Sequence, residues 1–367
     1  MQSVREGAAA IRIGKGVFYN PKMSKLRDIS VIFLSAMALR NARLLDATTA
    51  TGVRGIRYSL EAGVKDTTMI DMNAAAAANA RANARLNKIR AKVVGESLQE
   101  LAAQSHDAFD IIDLDPFGSP APLIYDALRI SKDGTALMVT ATDTATLSGA
   151  EGPACLRIYG AKPMHNHLCH ESGVRILLGF IARQAAQFNF GIEPLLSIAD
   201  MHYIRVFLVL RRGAENAAAS MKELGPVAHC AKCQNFSWKK GATAQLDTAC
   251  KYCRSQMQVY GPMWLGKLKD EEIVAKMSEI SDSYPRDSGN LIRSLYEELD
   301  LPFFYAIRKL TSYIRVGSVP MSPVMEMLGK KHAVSRTHFD KDSIKTDAPT
   351  GEVIGAVKKT ASSARRR

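Results

Sequence analysis

The chain has 367 residues, of which 47% are hydrophobic and 23% are charged. This length predicts roughly two or three domains, and the composition is typical of globular proteins with a large core. The longest uncharged apolar stretch, 31–39, is about half as long as a membrane span. No secretory signal is recognisable, and six cysteines are too few for a disulfide scaffold. We therefore expect a cytoplasmic protein without membrane association; membrane, collagen-like and disulfide-stapled classes are excluded.

The net charge is +13, from 49 Lys and Arg against 36 Asp and Glu. The excess is uneven, because residues 216–367 carry 24 basic against 16 acidic side chains. A polyanionic partner is favoured, since neutralising phosphates releases condensed counterions. The alternative is a charged surface that only keeps the protein in solution.

Strand-like and helix-like patterns alternate from residue 44 to residue 212. Buried strands are predicted at 43–47, 68–72, 91–94, 109–114, 135–140 and 203–210. Helices are predicted between them at 53–62, 73–87, 121–131 and 173–187. This alternation predicts an α/β domain with a mostly parallel sheet covered on both faces.

The pattern changes after residue 212. A polar connector at 211–219 indicates a boundary, so we expect an N-terminal part at 1–215, a cysteine-bearing segment at 216–262 and a smaller, mainly helical C-terminal domain at 263–367. In the last part, Asp287 and Ser288 are predicted to cap a helix. The poorly patterned sequence from Thr346 is expected to end in a mobile basic tail.

A turn of small residues, LDATTATGVRG (45–55), follows the first strand. Small residues let the backbone approach a ligand at a strand's carboxyl end, and the turn lacks the Gly-x-Gly-x-x-Gly fingerprint of dinucleotide sites. Asp71 follows the next strand at a spacing that suits hydrogen bonds to ribose hydroxyls, although a helix cap is the alternative. Glu96 and Ser97 follow the third strand. The crevice is expected to bind a nucleoside cofactor, with S-adenosylmethionine as the candidate.

The fourth strand ends in DLDPFGSP (113–120). Asp115 can accept a hydrogen bond from an exocyclic amine and take its proton. Pro116 offers a rigid carbonyl acceptor, and Phe117 can stack on a base. The segment therefore predicts group transfer to the amine of a planar base. A turn that merely ends the strand would explain Asp115 but not the Phe-Gly-Ser-Pro that follows it.

Four cysteines have the spacing of a structural zinc site. Cys230 and Cys233 form one Cys-x₂-Cys pair, and Cys250 and Cys253 form a second pair after sixteen intervening residues. Four protein thiolates leave no open coordination position, so this zinc is expected to stabilise structure rather than to catalyse. The group His165, His167, Cys169 and His170 matches no ordinary zinc spacing, and packing or RNA contact is the preferred interpretation.

These segments together resemble the tRNA guanine-26 N2-dimethyltransferase family. The resemblance rests on DLDPFGSP, on LDATTATGVRGIR (45–57), and on FYNPKMSKLRDIS (18–30), TATD (140–143), LCHE (168–171), YGPMWLG (260–266) and RTHF with IKTDAP (336–349). The segments follow the family's order along nearly the whole chain. Two departures are Leu26 before Arg27 and Asp28, where the family usually reads Asn-Arg-Asp, and Glu96-Ser97, where Asp-Ala is expected.

The resemblance implies an S-adenosylmethionine-dependent, Rossmann-like methyltransferase domain at 1–215, a zinc-binding segment and a C-terminal tRNA-binding domain. It implies methyl transfer to the exocyclic N2 of guanosine 26 in tRNA, giving N2-methyl- and N2,N2-dimethylguanosine, with no obligate protein partner. Asp115 would be the acid/base, Phe117 the stacking ring and Phe18 a second wall. Cofactor contacts would come from Arg27, Arg54, Asp71, Glu96 and Ser97. The alternatives are a DNA amino-methyltransferase and a zinc-dependent RNA-binding module without catalysis.

Overall fold

The chain opens with a small hairpin that packs on the main domain. The computed structural model describes residues 2–39, 41–104, 108–200 and 202–364. Strands β1 (Gln2–Glu6) and β2 (Ala9–Ile13) pair antiparallel, and a 3₁₀ turn at Pro21–Met23 leads into helix α1 (Ser24–Met37). Two asparagine side chains far along the sequence hold the hairpin. Arg12 N donates to Asn83 Oδ1 (2.9 Å), and Ala10 N donates to Asn87 Oδ1 (2.8 Å).

A seven-stranded sheet forms the centre of the molecule. Its elements are β3 (Arg43–Asp46), α2 (Val53–Glu61), β4 (Asp66–Ile70), α3 (Ala74–Leu86), β5 (Ala91–Val94), α4 (Leu98–Gln104), β6 (Phe109–Leu114), α5 (Ala121–Arg129), β7 (Ser131–Ala141), α6 (Thr144–Leu147), α7 (Gly152–Tyr159), α8 (Cys169–Ala186), β8 (Phe190–Asp200) and β9 (Tyr203–Arg212). The strand order is β5-β4-β3-β6-β7-β9-β8. The first five strands run parallel, whereas β9 pairs antiparallel with both β7 and β8. The chain order reverses between β3 and β6, the position at which open α/β sheets bind ligands.

The sheet is buried on both faces. In β6, Ile112 packs into the core on the α8 side, whereas its neighbour Ile111 packs into the core on the α1 side. Successive strand residues point to opposite faces, so two helical layers are needed to cover this sheet. Strands buried on both sides appear as continuous apolar runs, which is why the sequence predicts them well.

The rest of the chain forms two small sheets and several helices. Its elements are α9 (Ala214–Lys222), β10 (Leu224–His229), β11 (Phe236–Trp238), β12 (Gln258–Trp264), α10 (Glu271–Ser281), α11 (Arg286–Glu297), β13 (Tyr305–Ala306), α12 (Ile307–Ile314), α13 (Met321–Leu328), β14 (Val334–Arg336), β15 (Ser343–Thr346) and α14 (Thr350–Ala364). The sheet orders are β11-β10-β12 and β13-β15-β14. Helices α10 and α11 share a core with α1 through Val274, Met277 and Ile292. The three-part division at 215 and 262 stays a prediction.

The six predicted strands and four predicted helices are confirmed with small shifts at their ends, but several local predictions are wrong. The expected connector at 211–219 is largely helix α9. Helix α11 has Pro285 at its N-cap, while Ser288 Oγ donates to Asp28 Oδ2 (2.9 Å) instead of capping. Residues 350–364 form α14 and bury Val353 in a local core. The predicted tail at 365–367 lies outside the described residues. Among those described, none of the helices has the length and apolarity that crossing a membrane requires.

Candidate active site and metal centre

A cavity of about 670 Å³ opens at the carboxyl ends of β3, β4 and β6. Its volume lies in the range of small-molecule sites. Eight of the nine predicted catalytic and cofactor-binding residues line it: Phe18, Arg27, Arg54, Asp71, Ser97, Asp115, Pro116 and Phe117. The ninth, Glu96, is not among the lining residues, so the structure does not bring it to the cavity wall.

The turn after β3 brings backbone to the cavity floor. Ala50 and Gly52 both have positive φ, 48° and 81°, and a Cβ on Gly52 would lie 3.2 Å from Ala80 Cβ. Asp71 holds the turn, because its Oδ2 accepts from Ala50 N (2.9 Å) and its Oδ1 from Asn73 N (2.9 Å). Asn73 caps α3, so the helix-cap interpretation of Asp71 is wrong.

Arg27 is tied to the N-terminal hairpin. Its Nε donates to Glu6 Oε1 (2.6 Å), and its Nη2 donates to Glu6 Oε2 and to Asn20 O. These bonds occupy one edge of the guanidinium and leave Nη1 for a ligand. Burial raises the pKa of Glu6, but the hydrogen bond and charge of Arg27 outweigh it, so the pKa of Glu6 lies below its usual value. The hairpin therefore supports the cavity wall.

Arg54 lies beneath Asp115. Its Nε donates to Asp115 Oδ2 (2.8 Å), and its Nη2 lies 2.7 Å from the same oxygen. Its Nη1 contacts Ser30 Oγ and Tyr58 OH, each at 3.4 Å. These contacts give Arg54 a role in positioning Asp115; Arg54 also lines the cavity, and its predicted contact with the cofactor stays a prediction.

A second buried arginine completes this charge network. Arg205 Nη1 donates to Asp113 Oδ1 (2.7 Å) and to Thr140 Oγ1 (2.7 Å), and Tyr58 OH donates to Asp113. Burial raises the pKa of Asp115, but the charges of Arg54 and Arg205 lower it below its usual value. Asp115 is therefore ionised at neutral pH, as a proton acceptor requires.

Asp46 behaves in the opposite way. It is fully buried, and burial together with the charge of Asp113 raises its pKa to about 7. Its Oδ2 accepts from Thr49 Oγ1 (2.8 Å) and Gly55 N (3.2 Å), whereas Oδ1 has no hydrogen-bond partner among the described residues. The network thus holds one acid ionised and a neighbouring acid close to its titration point.

Two aromatic rings stand at the cavity mouth. Phe117 is 72% exposed and Phe18 is 50% exposed. Their ring centroids are 4.4 Å apart with an interplanar angle of 83°. A base cannot enter between rings in edge-to-face contact, so in this arrangement it would stack on one ring and meet the other beside it. The predicted pair of walls is present, but not as two parallel plates.

Ser97 has a structural duty at the start of α4. Its N and Oγ both donate to Glu100 Oε2 (2.8 Å each), and Glu100 N donates back to Ser97 Oγ (3.2 Å). This is a capping box. The sequence analysis missed other lining residues, including Thr48, Ser119 and His202. Thr48 stands inside the predicted turn, and its Oγ1 accepts from Asp115 N (3.0 Å); nothing in the local pattern indicates His202.

The four predicted cysteine ligands converge on one point. Their sulfur atoms all lie within 4.8 Å of one another, and the Cys230–Cys253 and Cys233–Cys250 sulfurs are each 3.5 Å apart. Four thiolates at about 2.3 Å from a tetrahedral zinc would stand roughly 3.8 Å apart, so the donor set fits this ion. It is the one candidate metal group among the described residues.

The histidine-rich segment before α8 forms packing contacts. The His167 ring lies 5.6 Å from the His229 ring and 6.0 Å from that of Phe304. Burial lowers the pKa of both histidines to about 4, so they are neutral at physiological pH. These contacts favour the packing interpretation over a second metal site.

The fold and the site together define a Rossmann-like, S-adenosylmethionine-dependent methyltransferase with a four-cysteine zinc site. The sequence matches the family described as N2,N2-dimethylguanosine tRNA methyltransferase over residues 2–358. The tRNA (guanine(26)-N(2))-dimethyltransferase of Thermococcus kodakarensis is 37% identical over 97% of this chain and 98% of its own length. The enzyme of that name from Methanothermobacter thermautotrophicus is 34% identical, over 96% and 97%.

A solved structure agrees over the same extent. Trm1 from Pyrococcus horikoshii, in complex with S-adenosyl-L-methionine, superposes with a TM-score of 0.90 and 34% identity, covering 97% of this chain and 99% of that one. The chain belongs to the N2,N2-dimethylguanosine tRNA methyltransferase family.

Proposed function

We propose that the protein transfers methyl groups from S-adenosylmethionine to the exocyclic N2 of guanosine 26 in tRNA, giving N2-methyl- and then N2,N2-dimethylguanosine. The observation that carries this is the placement of Asp115 and Phe117 on one edge of the cavity, with the carboxylate held ionised by Arg54. The full-length match to enzymes named for this reaction supports it.

The cavity residues fit the cofactor. Each Asp71 oxygen accepts one backbone hydrogen bond and retains a lone pair for a ribose hydroxyl. Arg27 retains Nη1 for a carboxylate, and the small residues of the β3 turn leave room for the ligand. When bound, S-adenosylmethionine supplies an electrophilic methyl group on its sulfonium sulfur. Contacts from Glu96 and Ser97 are the weakest part of the predicted set.

The protein's own groups orient the base and accept a proton. Guanosine 26 must leave its stack to reach the cavity, and Phe117 offers the exposed ring on which it then lies. Both short Arg54 contacts go to Asp115 Oδ2, so we assign Oδ1 as the acceptor for the N2 amine. Asp115 takes the proton that nitrogen releases as the new N–C bond forms. The Pro116 carbonyl is the second acceptor for that amine.

The remaining chain would hold the tRNA. The surplus of positive charge in residues 216–367 suits phosphate contacts from the zinc-binding segment and the C-terminal domain. We expect this binding to weaken steeply with salt, and we expect the reaction to take place in the cytoplasm without an obligate protein partner.

Nucleoside mass spectrometry tests the proposal. Unmodified tRNA incubated with enzyme and S-adenosylmethionine should yield N2-methyl- and N2,N2-dimethylguanosine, and the same tRNA with adenosine at position 26 should yield neither. Methylation of DNA alone would favour the DNA amino-methyltransferase alternative. Absence of cofactor binding by folded protein in calorimetry would favour the RNA-binding module without catalysis.

A further inference from the structure

A hydrogen-bonded chain of three side chains runs from the cavity wall into the protein. Ser119 lines the cavity, and its Oγ lies 2.7 Å from Tyr159 OH. Tyr159 is fully buried, and its hydroxyl donates to Asp143 Oδ2 (2.8 Å). The roles assigned above to Asp115, Pro116 and Phe117 leave this chain without a function.

The carboxylate of Asp143, at the inner end of the chain, determines the direction of each hydrogen bond. An ionised carboxylate only accepts hydrogen bonds, so the single hydroxyl hydrogen of Tyr159 is committed to Asp143. The Ser119 hydrogen then points away from the cavity, to the Tyr159 oxygen at 2.7 Å, and Ser119 also interacts with Asp143. One Ser119 lone pair accepts from Ala121 N (3.2 Å), which leaves the second lone pair as the remaining capacity of this hydroxyl. Burial raises the pKa of Asp143, and the hydrogen bonds of Tyr159 and Ser119 oppose that rise.

We propose that Ser119, locked as a hydrogen-bond acceptor by Tyr159 and Asp143, selects guanine by accepting its N1–H. The inference rests on the proposed function and adds a specificity-determining residue to it. Guanine carries a hydrogen on N1 beside the N2 amine, whereas N1 of adenine is a bare acceptor that would face another acceptor. Ser119 and Asp115 line the same cavity and lie four positions apart in the segment that follows β6, so the proposal places one base edge against both. The N1–H persists after the first methyl transfer, so the same contact holds the base for the second.

The test uses a base that retains the amine and loses the N1 hydrogen. 2-Aminopurine has this pattern, so tRNAs with guanosine or 2-aminopurine at position 26 are compared by kcat/KM for transfer of labelled methyl groups. Ser119→Ala should lower kcat/KM for the guanosine tRNA by about tenfold and change the value for the 2-aminopurine tRNA by less than about twofold. Because the ratio is compared between variants, the intrinsic reactivities of the two amines cancel.

A second variant separates locking from mere contact. In Tyr159→Phe the Ser119 hydroxyl loses its fixed partner and can turn its hydrogen toward the cavity. The 2-aminopurine tRNA should then gain activity while the guanosine tRNA loses it. Tyr125→Phe, a partly exposed tyrosine on α5 outside the cavity lining, is the matched control and should leave the ratio unchanged. Thermal unfolding of each variant reports its folded fraction.

The outcomes are distinct. If Ser119→Ala leaves the ratio of kcat/KM between the two tRNAs unchanged, the role of Ser119 is overturned and the proposed function stays intact. Failure of the unaltered enzyme to methylate guanosine 26 would overturn the proposed function and this inference with it.

Discussion

Asp115 is a partly buried carboxylate at the cavity wall, and two arginines keep it ionised. Arg54 contacts it directly, and Arg205 acts through space while neutralising Asp113. This arrangement fixes one carboxylate oxygen and holds the side chain in a single orientation at the cavity. Catalysis of this kind depends on orientation and on an ionised acceptor, and Arg54 contributes to both, because it fixes Asp115 and favours its charged form.

Replacing Asp115 with asparagine should remove catalysis while keeping the shape of the site. The amide side chain of Asp115→Asn retains an oxygen toward Arg54 but cannot take a proton, so kcat should fall by at least about 100-fold. The affinity for tRNA should change by less than about twofold. Asp110→Asn is the matched control, because Asp110 lies on the same strand but pairs with Lys132 on the surface (2.6 Å). Single-turnover kinetics and filter binding measure both quantities, and a variant that keeps half its rate would remove Asp115 from the mechanism.

Asp46 gives the fold a pH dependence of the opposite sign to most carboxylates. Its pKa is about 7 in the folded protein against 3.8 as the reference, so its protonated form is favoured by folding. The stabilisation it provides is therefore present below about pH 4 and is lost as pH rises through 7. Asp46→Asn removes the charge and keeps an acceptor for Gly55 N.

The free energy of unfolding of Asp46→Asn, relative to the unaltered protein, should rise by a few kcal/mol between about pH 4 and 7 and then level off. Urea unfolding at a series of pH values measures this difference. The exposed Asp66→Asn serves as control and should show no such rise. If the difference in free energy of unfolding between Asp46→Asn and the unaltered protein does not change with pH, the surroundings do not raise the pKa of Asp46.

At the scale of elements, the sequence predicted what local pattern determines. The central strands are apolar runs because both faces of a parallel sheet are buried, and they were found to within a few residues. Strand β8 was missed because Pro194 interrupts its run; it is tolerated at the sheet edge, where the register shifts between Pro194 and Leu196. The hairpin of β1 and β2 was missed because Ala9 and Ile11 are buried by helices and strands far along the chain.

In the candidate site too, local sequence pattern predicts some features and leaves out the contacts between distant segments. Strand ends placed Asp71, Asp115 and Phe117 at one sheet edge, since parallel strands bring their carboxyl ends together. The partners of these residues come from distant segments: Arg54 reaches Asp115 across 61 positions, and Arg205 reaches Asp113 across 92. No spacing rule predicts such pairs, because they are set by how the layers stack.

The zinc site is the element whose stability depends most on something other than packing. Cys230 follows β10 directly, and the cysteine cluster has only a small apolar neighbourhood. Metal binding on the order of 10 kcal/mol can order such a segment. Cys230→Ser should therefore lose zinc and lower the unfolding temperature of this segment. The affinity for S-adenosylmethionine should stay within about twofold, because no cysteine lines the cavity among the described residues.

Three measurements test this prediction. Metal analysis after gel filtration gives the zinc content, thermal unfolding with and without chelator gives the stability, and calorimetry gives the affinity for S-adenosylmethionine. Cys169→Ser is the control, because Cys169 lies outside the cluster. Retention of a full complement of zinc by Cys230→Ser, or loss of cofactor binding with zinc retained, would contradict the structural role.

At the scale of the whole molecule, buried charges join the C-terminal part to the sheet domain. Glu298, which follows α11, accepts from Lys345 Nζ (2.9 Å) and from His338 N (2.9 Å). Lys345 Nζ also lies 3.5 Å from Glu171 Oε2 on α8, and Glu171 Oε1 accepts from Phe303 N (2.7 Å). This network contributes to the relative position of the two parts, together with the core that α10 and α11 share with α1.

Glu298→Gln should loosen that junction. Burial raises the pKa of Glu298, but the charges of His338 and Lys345 lower it far below its usual value, so its stabilisation is present above about pH 4.5 and is lost as pH falls. Removing the charge leaves Lys345 without its closest counter-charge, so we expect a loss of about 3–5 kcal/mol at pH 7. The loss should shrink as pH falls below about 4.5. Glu297→Gln, the exposed neighbour, is the matched control.

The junction also predicts a functional split. Because the cavity lies within the sheet domain, Glu298→Gln should leave affinity for S-adenosylmethionine within about twofold at a temperature where the variant stays folded. If the C-terminal part binds tRNA as proposed, affinity for tRNA should fall more, since Lys345, which also contacts Glu171 on α8, would lose its closest partner and the junction would loosen. Calorimetry and filter binding on the same preparation measure the two constants. Equal losses in both would show that Glu298 supports the fold generally rather than the junction between the two parts.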